Sequence, residues 1–233
     1  MLQQKIFEVD DPVAVRDLIA AHSWATLVSH TPGDGLVVSH LPVLVEEPGH
    51  GAGTGAEPGA ETGAETGAGP SEEERGRIVI TGHLARTDAA SHQLGTHPVV
   101  VIVQGPHGYV SPVWYEETPH VPTWNFVVAH LHGRPEVLDP ARTYQVLEQT
   151  VDHFESRFAQ PWKLSRVSDY AERIASGVTG FRLAADRVRA KAKLSQDESP
   201  EVAGRVAEAL ETPEGPWTHP ALAHAMRTAR RPA

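Results

Sequence analysis

The sequence predicts an α+β fold, an antiparallel β-barrel with helices gathered around it. Two observations carry this. Short runs rich in β-branched and aromatic residues recur between turn residues along most of the chain. Capped, amphipathic helical segments stand at the start and in the second half, where they can cover a barrel but not cross over between parallel strands. With 233 residues, 40% hydrophobic and 21% charged, the chain has enough apolar mass for one substantial core.

Asp10-Asp11-Pro12 is a helix start, with a capping carboxylate and a proline at the first helical position, and Val15, Leu18, Ile19 and His22 follow at helical spacing, so a helix is expected over 12–22. Residues 25–30 and 36–45, joined by Thr31-Pro32-Gly33-Asp34-Gly35, read as a hairpin. From Pro48 to Gly69 the sequence falls into a four-residue period of the type Gly-Ala-Glu-Thr with nothing large to bury, which predicts a solvated Gly/Ala/Glu-rich insertion at about 46–76 within a single domain spanning 1–233. Strand signals resume at 77–83, 99–104, 109–111 and 124–133. Asp139-Pro140 starts a helix whose apolar stripe reads as Tyr144, Leu147, Val151 and Phe154, and a second helical stretch surrounds 170–175. Residues 180–184 and 187–194 read as closing strands, Ser199-Pro200-Glu201 starts a helix reaching about Leu210, and a last helix lies around Leu222 to Ala229.

Composition excludes several classes. Without cysteine there are no disulfides, thiolate nucleophiles or iron–sulfur clusters, and histidine, present fourteen times, is left as the main soft metal ligand. The formal charge is −10, and about −4 once residues 46–77 are set aside, so a phosphate backbone would be repelled and no direct nucleic-acid partner is expected. No apolar run approaches the ~20 residues that span a bilayer, and Met1-Leu2-Gln3-Gln4-Lys5 lacks the apolar stretch of a signal peptide. These predict a cytoplasmic protein with no membrane contact. No Gly-x-Gly-x-x-Gly, Walker loop, His-Glu-x-x-His or Gly-x-Ser-x-Gly pattern occurs.

Four ordered segments carry a resemblance: Ser39-His40-Leu41-Pro42, Gly82-His83-Leu84-Ala85-Arg86, the block from Gln104-Gly105-Pro106-His107-Gly108-Tyr109-Val110-Ser111-Pro112 through Trp114-Tyr115 to Val121-Pro122-Thr123-Trp124-Asn125, and Lys193-Leu194-Ser195-Gln196. Together they resemble the PaiB-like family of FMN-binding split-barrel proteins, known as negative transcriptional regulators. The haem-dependent piperazate synthases are similar in sequence to the same family and close an N–N bond in N5-hydroxyornithine. The resemblance implies an antiparallel split β-barrel, haem b or FMN as cofactor, and a homodimer with the cofactor at the subunit interface. One departure bears on the choice: after Ala85-Arg86 the family pattern continues with Asn-Pro, whereas here it is Thr87-Asp88.

His83 stands at a strand end beside Gly82, a residue that would let a flat ring approach the backbone, and is the candidate axial ligand for haem iron. The competing reading is a histidine bonded within the barrel rim. Arg86 suits a haem propionate or a flavin phosphate, or a surface ion pair with Asp88. Lys193 and Ser195 alternate, so both are expected on one face, as catalytic residues or as partners of a substrate carboxylate, while Gln196 turns with the chain toward the cofactor. Trp114, Tyr115, Trp124 and Asn125 could wall a planar ring; packing explains the aromatic rings equally well, whereas Asn125, set between Trp124 and Phe126, has no packing reason to be there. His130 and His132 alternate without a third ligand and read as structural or dimer-facing; His40 and His107 fall within the family segments and are candidates for lining the pocket.

The resulting expectation is a haem-dependent, piperazate synthase-like cyclase acting on an amino-acid substrate, with loss of water. An FMN-binding PaiB-like regulator is the second reading, and a flavin reductase-like or haem-degrading enzyme the third. The fold serves all three.

Overall fold

A computed structural model describes residues 4–47 and 76–229; the predicted insertion lies outside the described residues apart from 46, 47 and 76. Nine strands and six helices are found among the described residues: β1 (Glu8–Val9), α1 (Pro12–Ala21), β2 (Trp24–Thr31), β3 (Gly35–Val45), β4 (Val79–Ala85), α2 (Arg86–Ser91), β5 (Val99–Val110), β6 (Thr123–Gly133), β7 (Glu136–Val137), α3 (Pro140–Glu155), α4 (Ser168–Ala175), β8 (Val178–Ala184), β9 (Arg187–Lys193), α5 (Pro200–Glu211) and α6 (Pro220–Thr228). Three helices begin as expected, with a side chain capping a backbone N–H and a proline behind it. Asp11 accepts from Val13 (2.9 Å), Asp139 from Arg142 (2.8 Å) and Ser199 from Val202 (3.2 Å).

The chain forms two compact units. The first comprises Met1–Ala25, Val101–Leu131 and Val188–Ala233. Its strands run in the order β1-β9-β6-β5, with β1 antiparallel to β9. Its core joins Val110, Tyr115 and Leu194 to Val202, Val206 and Leu210 of α5 and Leu222 and Met226 of α6. The C-terminal helices are thus part of a core, since each lays its apolar stripe on the same cluster.

The second unit comprises Thr26–Val100 and His132–Arg187, with strand order β2-β3-β4-β8-β7. β4 is antiparallel to both β3 (Val43↔Gly82) and β8 (Gly82↔Phe181, His83↔Gly180), and β7 pairs antiparallel with β8. Leu27, Leu41, Val43, Ile80, Phe181 and Leu183 are fully buried. Helix α3 packs on β8, β4 and β3.

Three local expectations are corrected. Residues 99–104 and 109–111 are one twelve-residue strand, β5, because Gly105 serves a close approach and not a turn: a Cβ there would sit 2.7 Å from Leu18 Cδ1 and 3.1 Å from Val127 Cβ. Helix α2 was not foreseen; Asp88 in its first turn favours the helix start, and it follows directly on β4. On α3 the buried positions are Thr143 and Val146, and Phe154 is 37% exposed. The helix is turned toward the sheet by Thr143, whose hydroxyl accepts from Gly180 N (3.2 Å) and donates to Leu138 O (3.4 Å), with Gly180 leaving room for it.

Candidate functional site

In the second unit, His83 lies on the sheet face that α3 covers. Directly paired antiparallel residues point the same way, and its partner Gly180 lies against Thr143 of α3. The imidazole is half-buried, and its Nδ1 is buried with no hydrogen-bond partner among the described residues. Burial holds its pKa below the ordinary histidine value, so the ring is neutral, the state a metal ligand requires. Gly82 does not admit a ligand ring. The space of its missing side chain is filled by Phe181, whose Cε1 and Cζ lie 2.9 Å from the position a Cβ would take, and the sequence-based reason for that glycine is corrected to packing.

Arg86 begins α2. Its backbone N–H donates to Gly177 O (2.9 Å), no ion pair joins its guanidinium to Asp88, and its side chain is exposed at the lip of a cleft of about 950 Å³. The cleft lies between α3 and the end of α4, floored by β8. Val137, Leu138, Ala175 and Val178 give it apolar walls, and Tyr144, Glu148 and Glu172 give it a polar side. Desolvation first, then Glu148 and Glu172, raises the Tyr144 phenol pKa, so the hydroxyl stays protonated beside the two carboxylates. Sequence reading took Tyr144 as packing and passed over both glutamates. The one available signal was the spacing of Tyr144 and Glu148, four apart on a single helix face.

In the first unit the structure brings Asn125 and Ser195 together with Met226. Asn125 is fully buried; its Nδ2 donates to Ser195 Oγ (2.9 Å) and lies 3.5 Å from Met226 Sδ, and its Oδ1 is buried with no partner among the described residues. The expected alternation of Lys193 and Ser195 is corrected: β9 ends at Lys193, and Ser195 sits in a left-handed turn (φ 62°), 2% exposed. Gln196 does turn with the chain, its amide accepting from Leu194 N (2.6 Å) and donating to Ala192 O (2.6 Å). The Lys193 ammonium donates to Thr123 Oγ1.

The expected aromatic wall divides. Tyr115 is 3% exposed and stacks on His120, and Trp114 packs on the same core, so both are structural. Trp124 is 43% exposed and clusters with His107, Tyr109 and Trp217, the last an aromatic from the α5–α6 connection that sequence reading did not single out. His40 bonds Thr26 (3.0 Å) in the second unit, and His132 bonds Arg187 there (3.1 Å). Among the described residues no group of three or more His, Cys, Asp or Glu side chains is placed to hold a metal ion. No described helix is long and apolar enough to cross a membrane.

Asn125→Ala removes the amide that holds the left-handed Ser195 turn and leaves the Ser195 hydroxyl without that donor. It is expected to cost about 1–3 kcal/mol, read from the urea unfolding midpoint; an unchanged midpoint would show that the turn holds itself.

The antiparallel strands and the helices packed on them define a split-barrel protein. Two solved structures share this fold: a flavocytochrome, Anf3, from Azotobacter vinelandii (TM-score 0.53, 14% identity, 82% of this chain and 72% of that one) and an FAD and haem binding protein from Mycobacterium smegmatis (TM-score 0.51, 14% identity, 84% and 78%). A family model described as "Putative FMN-binding domain" matches residues 1–187, and the chain belongs to that family. Among curated relatives, the protease synthase and sporulation protein PAI 2 of Bacillus subtilis is 30% identical over 139 residues, 59% of this chain and 67% of that protein. An uncharacterised Emericella nidulans protein is 28% identical over 116 residues, 42% of this chain and 46% of its own length. The PaiB-like resemblance is thereby established.

Proposed function

We propose that this chain is a haem-dependent enzyme of the piperazate synthase type, which closes an N–N bond in N5-hydroxyornithine. In the overall reaction the N–O bond of the hydroxylamine breaks and the α-nitrogen bonds to N5. The hydroxyl and a proton from the α-amine leave as water, so no external reductant is needed.

The observation that carries this reading is His83: a neutral, half-buried imidazole with a buried nitrogen that nothing among the described residues satisfies. The buried nitrogen is enclosed by the protein, so the ring's other nitrogen, on the partly open side of the imidazole, is the one left for a bound group. The residues fit haem b in this respect, with His83 as the ligand to iron. When bound, the iron would act as a Lewis acid toward the hydroxylamine. Two similar split barrels support the choice, since one is a flavocytochrome and the other binds FAD and haem.

The remaining work falls to the chain's own side chains. Arg86, free of Asp88, takes an anion, a propionate or the substrate carboxylate. Lys193 and Ser195, held by Thr123 and Asn125, are the candidates for proton relay or carboxylate binding in the first unit. The homodimer implied by the resemblance is supported by Leu36 (74% exposed) and Val38 (54% exposed), alternate residues of β3 that present apolar side chains to solvent. The protein works in the cytoplasm in this reading.

The second reading, an FMN-binding regulator, is favoured by the family description and by the exposed Trp124 ring, on which an isoalloxazine could stack. The visible absorption spectrum separates the two. Protein expressed with haem supplementation is expected to show a Soret band that His83→Ala abolishes or shifts, and only then is cyclisation of N5-hydroxyornithine expected. Flavin bands with no Soret feature, unchanged by the substitution, would return the protein to the FMN reading.

A further inference from the structure

The second unit's cleft holds three side chains that no haem or flavin role uses, Tyr144, Glu148 and Glu172. Arg86 stands at its lip with no ion pair to Asp88. Glu148 and Glu172 line the same space as Tyr144, whose protonated hydroxyl is a donor, and Val137, Leu138, Ala175 and Val178 supply apolar walls. With one cation and two carboxylates the lining is net negative, which disfavours a phosphate dianion or a pair of propionates. The same lining suits a small molecule of net charge +1, with one carboxylate and two ammonium groups on a short carbon chain. About 950 Å³ is ample for such a ligand, and pockets of this size take small molecules through a few placed polar groups on apolar walls.

We infer that this cleft binds a free basic α-amino acid, its carboxylate on Arg86, its two ammonium groups against Glu148 and Glu172, and its methylenes along Val137, Leu138 and Val178. Val178 and Thr143 of this cleft belong to the sheet face and the helix between which His83 lies, so an amino acid seated here is on the His83 side of the second unit. The inference deepens the proposed function by giving the substrate class a site, and it rests on that reading only for the chemistry that follows binding. It assigns Arg86 to the substrate carboxylate in preference to a propionate.

The test is calorimetric titration of the full-length chain with L-ornithine, and with putrescine, the same chain length without a carboxylate. The wild type is expected to bind ornithine saturably. Arg86→Gln should weaken ornithine by about tenfold or more and leave putrescine no weaker, because only ornithine loses a charge-assisted pair. Glu148→Gln with Glu172→Gln should weaken both ligands by about tenfold or more. All three side chains are exposed or half-buried, so the variants keep the fold, which a circular dichroism spectrum checks. Absence of saturable ornithine binding up to about 10 mM would overturn the inference; so would variants that bind both ligands as the wild type does.

The Soret band of the same samples separates this from the cofactor assignment. Ornithine binding that tracks Arg86 and the two glutamates in a protein with no haem keeps the cleft and removes the cyclase. A haem band lost in His83→Ala, with no ornithine binding in any sample, keeps the cofactor and removes the cleft.

Discussion

Phe181→Ala is expected to lower the unfolding free energy by about 3–5 kcal/mol, as for a large aromatic deleted from a packed interior. Phe181 is fully buried on β8, directly paired with Gly82 of β4, and its ring occupies the volume that a side chain at 82 would need. The reciprocal change, Gly82→Ala, drives a methyl to within 2.9 Å of Phe181 Cε1 and Cζ and 3.1 Å of the Pro42 carbonyl oxygen. One of those neighbours is backbone and cannot swing away, so overpacking should cost about 1–3 kcal/mol. Because both changes act on one volume, the two costs should not add. In a Phe181→Ala background Gly82→Ala should cost far less than it does alone, since the space it needs has been vacated. Urea unfolding of the two single variants and the double variant gives the coupling, and strictly additive costs would show that the ring and the glycine are not the pair described here. The pair matters for function because it fixes the register of β4 on β8, and with it the face on which His83 emerges.

Much of the fold was legible because its signals are local. Asp11-Pro12, Asp139-Pro140 and Ser199-Pro200 each announce a helix start by chemistry confined to three residues, and the turn from Thr31 to Gly35 closes a hairpin the same way. What was misread depends on contacts made at a distance. Gly105 and Gly108 look like a strand break in sequence, yet they thin β5 where Leu18, Val127 and Leu222 approach it. The buried stripe of α3 cannot be chosen from periodicity alone, because Thr143 is drawn to a glycine thirty-seven residues later. The left-handed Ser195 is invisible to a reading that expects non-glycine residues to extend or coil right-handed. Among the candidate residues, His83, Arg86 and Asn125 were singled out through their motifs. Glu148, Glu172 and Trp217 were not, since a half-exposed glutamate on a helix gives no sign in sequence of the cleft it faces.

Stability is expected to be flat above about pH 7 and to fall as the pH drops toward 5, through proton uptake by buried histidines. His22, His83, His92 and His130 all have pKa values lowered in the folded protein, burial being the largest cause for each. In the unfolded chain they titrate near 6.5. Above that value both states hold these rings neutral, and they contribute no slope. Below it the unfolded chain takes up protons that the folded chain refuses, so folding weakens until the lowered folded values are reached. His92 is the clearest case. It is fully buried, with Nδ1 2.7 Å from Ser29 Oγ and Nε2 2.9 Å from Ser39 Oγ, and Asp88 only partly offsets the burial. Carboxylates such as Glu211, whose pKa is lowered chiefly by its hydrogen bond from Arg227, enter only at lower pH and leave this window to the histidines. Urea midpoints at about pH 7.5 and 5.5 should show the loss in the wild type. His92→Gln should be less stable at the higher pH but lose less on going to the lower one, because one of the refusing groups is gone. A loss of equal size in the two proteins would remove His92 from the account and leave the acid sensitivity to the other three histidines.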